Sequence, residues 1–187
     1  MSEIENKREF PKFNFTEGEV LLLNKPYQWT SFDVVGKLRN SFKPLKLKVG
    51  HAGTLDPLAT GLLILCTGKK TKEIESYQAQ EKEYTGTFVL GKTTPSVDLE
   101  TEFDAEYPTS HITHEMLENV VSGMTGIIEQ FPPAHSAVKI NGKRAYESAR
   151  KGEEVIMKSR QVEVKVFEID SSAFPVISFR IVCSKGT

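Results

Sequence analysis

The apolar positions of this chain follow two rhythms, and each predicts a different element. Residues 20–23 are a short apolar run that breaks at Asn24-Lys25-Pro26, as a strand entering a turn does. Thr30 or Ser31 then caps a helix with Asp33 in its first turn. Val34, Val35, Leu38 and Phe42 share one face of it. Residues 62–66 read as a buried strand and 70–78 as a short helix. Residues 84–90 alternate, which puts Tyr84, Gly86, Phe88 and Leu90 on one strand face. Leu117, Val120, Val121 and Met124 mark an amphipathic helix starting near Thr113. Strands are expected over 127–129 and 136–140, with Asn141-Gly142 as a hairpin turn and a helical turn over 146–150. Residues 161–169 and 176–183 close the series as strands. Many strand-turn-strand signals and few helices predict an α+β fold with a mixed or mostly antiparallel sheet.

Composition narrows the class only a little. The 187 residues are 39% hydrophobic and 26% charged, and the formal net charge is −1. These values suit a folded globular chain and give no global signal for a polyanion partner. Cys66 and Cys183 lie in apolar runs with no metal-ligand spacing, so they read as buried, reduced thiols of a cytosolic protein. No run reaches the roughly 18 apolar residues of a membrane helix. Residues 1–17 open without an apolar core and read as a solvated tail.

Charge is segregated along the chain. Lys37, Arg39, Lys43, Lys46 and Lys48 fall within twelve residues without an acid. Residues 131–160 hold seven basic residues against three acidic ones, while Asp98, Glu100, Glu102, Asp104 and Glu106 form an acidic run. Any one run is most simply a solvated face. Their separation is what binding to a phosphate backbone requires, because each neutralised phosphate releases counterions.

Gly50-His51-Ala52-Gly53-Thr54-Leu55-Asp56-Pro57-Leu58-Ala59-Thr60-Gly61 is the segment richest in chemistry. It is a loop with one carboxylate at its centre, and Leu55 and Leu58 serve as apolar anchors. Pro57 biases Asp56 toward extended backbone. Alone, such an aspartate is most simply a turn residue. A glycosidase would need a second carboxyl.

The segment with Leu62-Leu63 resembles the signature of the TruB family of pseudouridine synthases. Further matches follow in order. Asn24-Lys25-Pro26 with Thr30-Ser31 resembles the family's KPxGxTS, with Gln28 where glycine is usual. Lys82-Glu83-Tyr84 resembles its K-x-Y. Gln130-Phe131-Pro132-Pro133, Ser136-Ala137-Val138-Lys139, Gly142, Tyr146 and Ala149-Arg150 resemble a later block, and Cys183 to Thr187 the start of its SKGTYIR segment. The resemblance runs from about residue 18 to residue 187.

It implies a pseudouridine synthase fold, with a central sheet flanked by helices. Residues 18–187 would be the catalytic domain and 131–160 an RNA-binding insertion. These residues reach no C-terminal RNA-binding domain, and they stop before the arginine that pairs with the catalytic carboxylate in the family. Asp56 matches the nucleophile, Tyr84 the aromatic that stacks on the uracil, and His51 the residue that helps extrude it. Lys139, Lys143, Arg144 and Arg150 would meet RNA, and Lys25 has a structural place near the site floor. The implied reaction is isomerisation of uridine-55 in the tRNA T-loop by a cytoplasmic monomer, with no cofactor, no metal and no membrane. Two other readings use the same residues: a tRNA-binding or folding module that does not need Asp56, and a hydrolase that pairs Asp56 with a glutamate.

Overall fold

The computed structural model describes residues 12–96, 98–131, 139–140, 143–144 and 159–187. The chain divides into two compact units, residues 1–79 and 80–187.

In the first unit, β1 (Val20–Lys25), β2 (Val49–His51) and β3 (Gly61–Thr67) form an antiparallel sheet in the order β1-β3-β2. Helix α1 (Ser31–Ser41) packs against β2. Its apolar stripe is the reason: Val34 and Val35 are buried with Leu47, Val49, Leu63 and Leu65, and Leu38 and Phe42 pack around them. Thr30 caps the helix. Its side chain accepts from the Asp33 amide while the Asp33 carboxylate accepts from the Thr30 amide, a reciprocal capping box. The Thr30 hydroxyl also donates to the Asp33 carboxylate, and that bond first, with the one from the Thr30 amide, holds the Asp33 carboxyl below its ordinary range. Beyond β3 a 3-10 stretch, Gly68–Glu73, leads into the short helix α2 (Ile74–Gln78), so the helix expected over 70–78 is divided in two.

The solvated tail expected over 1–17 needs correction at its end. Phe15 packs against the first core, with its ring 4.5 Å from that of Phe42, and Phe13 stacks on Phe15 at 5.3 Å. Phe15 gains apolar contact there that a solvated tail would not give it, while Phe13 stays exposed.

The second unit is built on β4 (Lys82–Val89), β7 (Gly126–Gln130), β10 (Arg160–Asp170) and β11 (Val176–Cys183). They pair antiparallel in the order β4-β11-β10-β7. Two further short antiparallel pairs are β5 (Lys92–Thr93) with β6 (Ala105–Glu106) and β8 (Lys139–Ile140) with β9 (Lys143–Arg144). Helix α3 (His114–Gly123) packs on β10. Its cap is Thr113, as the sequence predicts. Val120 and Met124, expected on its buried face, are exposed. Every pairing among the described strands is antiparallel, which accords with α+β. Cys66 and Cys183 are buried free thiols, and burial raises the pKa of Cys66.

The connection from β1 to α1 carries two unusual groups. Lys25 is fully buried, and its ammonium donates to the carbonyls of Pro26 at 3.0 Å, Trp29 at 2.6 Å and Pro57 at 3.3 Å. A buried cation is tolerable only when its donors are used, and here three backbone oxygens use them. Gln28 has φ of +64°, and its amide donates to the Pro57 carbonyl at 2.8 Å. That angle explains why glycine is usual at this place in the sequences this chain resembles: a side chain there costs about 1–2 kcal/mol. Equilibrium urea unfolding tests both. Lys25→Met leaves the Trp29 carbonyl without its donor and lowers stability by about 2–3 kcal/mol. Gln28→Gly removes the strain and raises stability by about 0.5–1 kcal/mol after the entropy of glycine is counted.

Candidate active site

The loop from Ala52 to Thr60 joins β2 to β3 and is held at both ends and in the middle. At its entry the Ala52 amide donates to the Ile64 carbonyl at 2.8 Å, and His51 Nδ1 donates to the Gly53 carbonyl at 2.5 Å. At its exit the Gly61 amide donates to Asn24 Oδ1 at 3.1 Å. In the middle, the buried Ser31 hydroxyl accepts from the Leu55 amide at 2.9 Å and lies 3.2 Å from the Leu55 carbonyl, to which it donates. Pro57 takes the bonds from Lys25 and Gln28. Asp56 therefore sits between two residues whose backbones are both tied to the β1–α1 connection. Its carbonyl accepts from the Ala59 amide at 3.0 Å, which closes a turn. Its side chain is exposed and makes no hydrogen bond or ion pair among the described residues. The structure thus presents a carboxylate to solvent from a backbone it holds fixed. His51 lies in the same unit, at the end of β2.

Tyr84 belongs to the second unit. It is 41% exposed on β4 and stands opposite Ile181 of β11. Two residues on, Gly86 stands opposite Phe179, and the Phe179 ring lies 2.8 Å from where a Cβ on Gly86 would be. Only a residue without a side chain lets that ring close on β4. Phe179 also stacks on Phe88 at 6.0 Å, so the face bearing Tyr84 is aromatic. The opposite face is ionic. Arg180 donates through Nε and Nη2 to the two Glu83 oxygens, each at 3.0 Å, and through Nη1 to Glu168 at 3.1 Å. This fork ties β4, β11 and β10 together and holds the Glu83 carboxyl below its ordinary range. Glu83 is thereby committed to Arg180. At the start of β4, Lys82 donates to the Gln80 carbonyl at 2.6 Å. Burial first, and the nearby Lys185 charge with it, lower the pKa of Lys82.

Of the residues expected to meet RNA, Lys139, Lys143 and Arg144 lie in the β8–β9 hairpin. Lys139 pairs with Arg144 across it, as the expected turn at 141–142 requires. Their side chains, the turn itself and Arg150 lie outside the described residues. In the basic run at 37–48, Arg39 is used internally. It donates to the Val49 carbonyl at 2.7 Å, and its guanidinium lies 5.7 Å from the centroid of the Phe32 ring. Lys37, Lys43, Lys46 and Lys48 are exposed. No cluster of three metal-ligating side chains occurs among the described residues, and no described helix is long and apolar enough to cross a membrane. Sequence reasoning placed Lys25 near the site but missed Ser31 as the tether of Leu55.

Comparison with known proteins bears on this geometry. Residues 39–187 match the N-terminal domain of TruB family pseudouridylate synthase. The chain is 56% identical over 178 residues to tRNA pseudouridine synthase B of Parabacteroides distasonis, covering 93% of this chain and 76% of that protein. It is 53% identical to the enzyme of the same name from Flavobacterium johnsoniae, covering 92% and 78%. Among solved structures, it is similar to a chain of a Cbf5-Nop10-Gar1 complex at 25% identity and a TM-score of 0.66, over 92% of this chain and 41% of that one. Its fold is also that of a chain in an H/ACA RNP bound to a substrate RNA containing 2′-deoxyuridine, with a TM-score of 0.60 over 92% of this chain and 39% of that one. The α+β fold is that of the pseudouridine synthases, and the chain, an isomerase by descent, belongs to the TruB family.

Proposed function

We propose that this protein isomerises uridine-55 in the T-loop of tRNA to pseudouridine, with Asp56 as the nucleophile. The observation that carries the reading is the exposed Asp56 carboxylate on a backbone fixed at Leu55 and Pro57. The relatives named above are tRNA pseudouridine synthases, which supports tRNA as the substrate.

The reaction breaks the bond from N1 of uracil to C1′ of ribose and joins C5 to C1′ instead. The proton on C5 leaves to solvent and N1 gains one, so atoms balance without a co-reactant. A carboxylate suits the first stage, because it can bond transiently to the nucleotide and be released again. The detached uracil has to be held while it turns. Tyr84, half-exposed on an aromatic sheet face, offers a ring for stacking. A base in a folded RNA loop must first be flipped out at a cost of a few kcal/mol, and contacts with the RNA offset that cost. His51 is assigned to this extrusion, and Lys139, Lys143, Arg144 and Arg150 to phosphate contacts in the segment 131–160.

Two measurements test the reading. Tritium release from tRNA labelled at uracil C5 should proceed with the wild-type chain and fall to background in Asp56→Asn. Equal release from the variant would leave a binding module as the better description. The Lys143→Ala, Arg144→Ala double variant should bind tRNA more weakly. Its plot of log affinity against log salt should flatten by about 1.4–1.8, which is two phosphates' worth of counterions. An unchanged slope would remove these two residues from the interface.

A further inference from the structure

The strand β10 begins with a residue that touches two separate stretches of chain. Arg160 Nε and Nη2 donate to Gln130 Oε1 at 3.2 and 3.0 Å, and Nη2 also donates to the Gly186 carbonyl. Gln130 is the last residue of β7 and pairs with Arg160 across the ladder. Beside this pair the Ser159 hydroxyl donates to Glu129 at 2.5 Å. The residues on either side of the segment 131–158 are thus locked together, and the same guanidinium holds the chain that follows β11.

The chain after β11 is shaped for that contact. Gly186 has φ of +86°, and the guanidinium atoms lie 3.1 Å from where its Cβ would be. A side chain there would be strained in the backbone and would push Arg160 away. The start of this segment is fixed independently: the Ser184 amide donates to the Glu163 carbonyl at 2.8 Å, and the Ser184 hydroxyl accepts from the Glu163 amide at 2.9 Å. Lys185 lies between these two anchors. Two residues before Lys185 the ladder ends, where Cys183 pairs with Lys82, itself two residues before Tyr84. The charge of Lys185 is felt at Lys82.

We infer that Arg160 is a positioning residue for pseudouridine formation: it sets Lys185 and the 184–187 segment against the Lys82–Tyr84 end of β4, and couples that placement to the closed β7–β10 pair. The inference rests on the proposed assignment of Tyr84 to the uracil. Arg160 itself touches no reacting atom. A lysine cannot replace it, since one ammonium lacks the planar fork that spans a side-chain amide and a backbone carbonyl together.

The test uses Arg160→Gln, Arg160→Lys and Gly186→Ala in the full chain, with two readouts. The first does not depend on activity: amide hydrogen exchange across residues 184–187. It should quicken at least about tenfold in Arg160→Gln and Gly186→Ala, with Arg160→Lys intermediate. The second is single-turnover tritium release at saturating tRNA, with tRNA affinity measured separately. The rate constant should fall about tenfold or more in Arg160→Gln and Gly186→Ala while affinity stays within about threefold. Unchanged exchange in both variants would overturn the placement. Quicker exchange with an unchanged rate constant would overturn its role in the reaction. A loss confined to affinity would make Arg160 a support of RNA binding and would also overturn it. An inactive wild-type chain would count against the tRNA reading, and the exchange measurement would still decide whether Arg160 holds the segment.

Discussion

Everything in the first unit that bears on chemistry depends on how a buried ammonium is satisfied. Lys25 ends β1 with no water around it, and its three bonds go to backbone oxygens on both sides of the gap between the β1–α1 connection and the loop of Asp56. Carbonyl dipoles compensate the charge less fully than a carboxylate would, so all three bonds are needed. The same bonds fix Pro57, while Ser31 fixes Leu55. An exposed carboxylate normally samples many positions. Here the residues before and after it are both held, so the freedom left is that of its own side-chain torsions. This is pre-organisation achieved from the backbone, with no bond to the carboxylate among the described residues.

The second unit solves a related problem with a sheet. One face carries Tyr84, Phe88 and Phe179, and the other carries the Glu83–Arg180–Glu168 fork. The fork joins three strands from the solvent side, where an isolated ion pair is worth little, but a bidentate contact with shared geometry fixes strand register. Register matters because a slip by one residue would carry Tyr84 to the ionic face.

Much of this was legible in the sequence, and the limits have physical causes. Strand 176–183 and the caps Thr30 and Thr113 were readable because alternation and cap chemistry are local. The helix expected over 70–78 was misjudged as one piece, since the tighter 3-10 turn and the α-helix share the same apolar and polar rhythm. Phe13 and Phe15 were assigned to a tail because a short aromatic pair carries no periodicity. What draws Phe15 into the core is Phe42, a partner far along the chain, and Phe13 stacks on Phe15. The location of Asp56 was visible, whereas the tethers from Lys25 and Ser31 were not, because they cross between segments 24–32 residues apart in sequence. Arg39 shows the opposite error. Counted as one more free positive charge, it spends its guanidinium on the Val49 carbonyl and the Phe32 ring.

The closed pair at Gln130 and Arg160 has a bearing on how such a protein can vary over generations. Two side-chain contacts and a strand ladder join Glu129 and Gln130 to Ser159 and Arg160, so the ends between which the chain must close are fixed. Doubling the length of a free connection costs only about 0.6 kcal/mol. With these ends held, a change in chain length between them need not disturb the register of the sheet that carries Tyr84. On such a scaffold the length of a connection and the register of the sheet it joins can change at different rates.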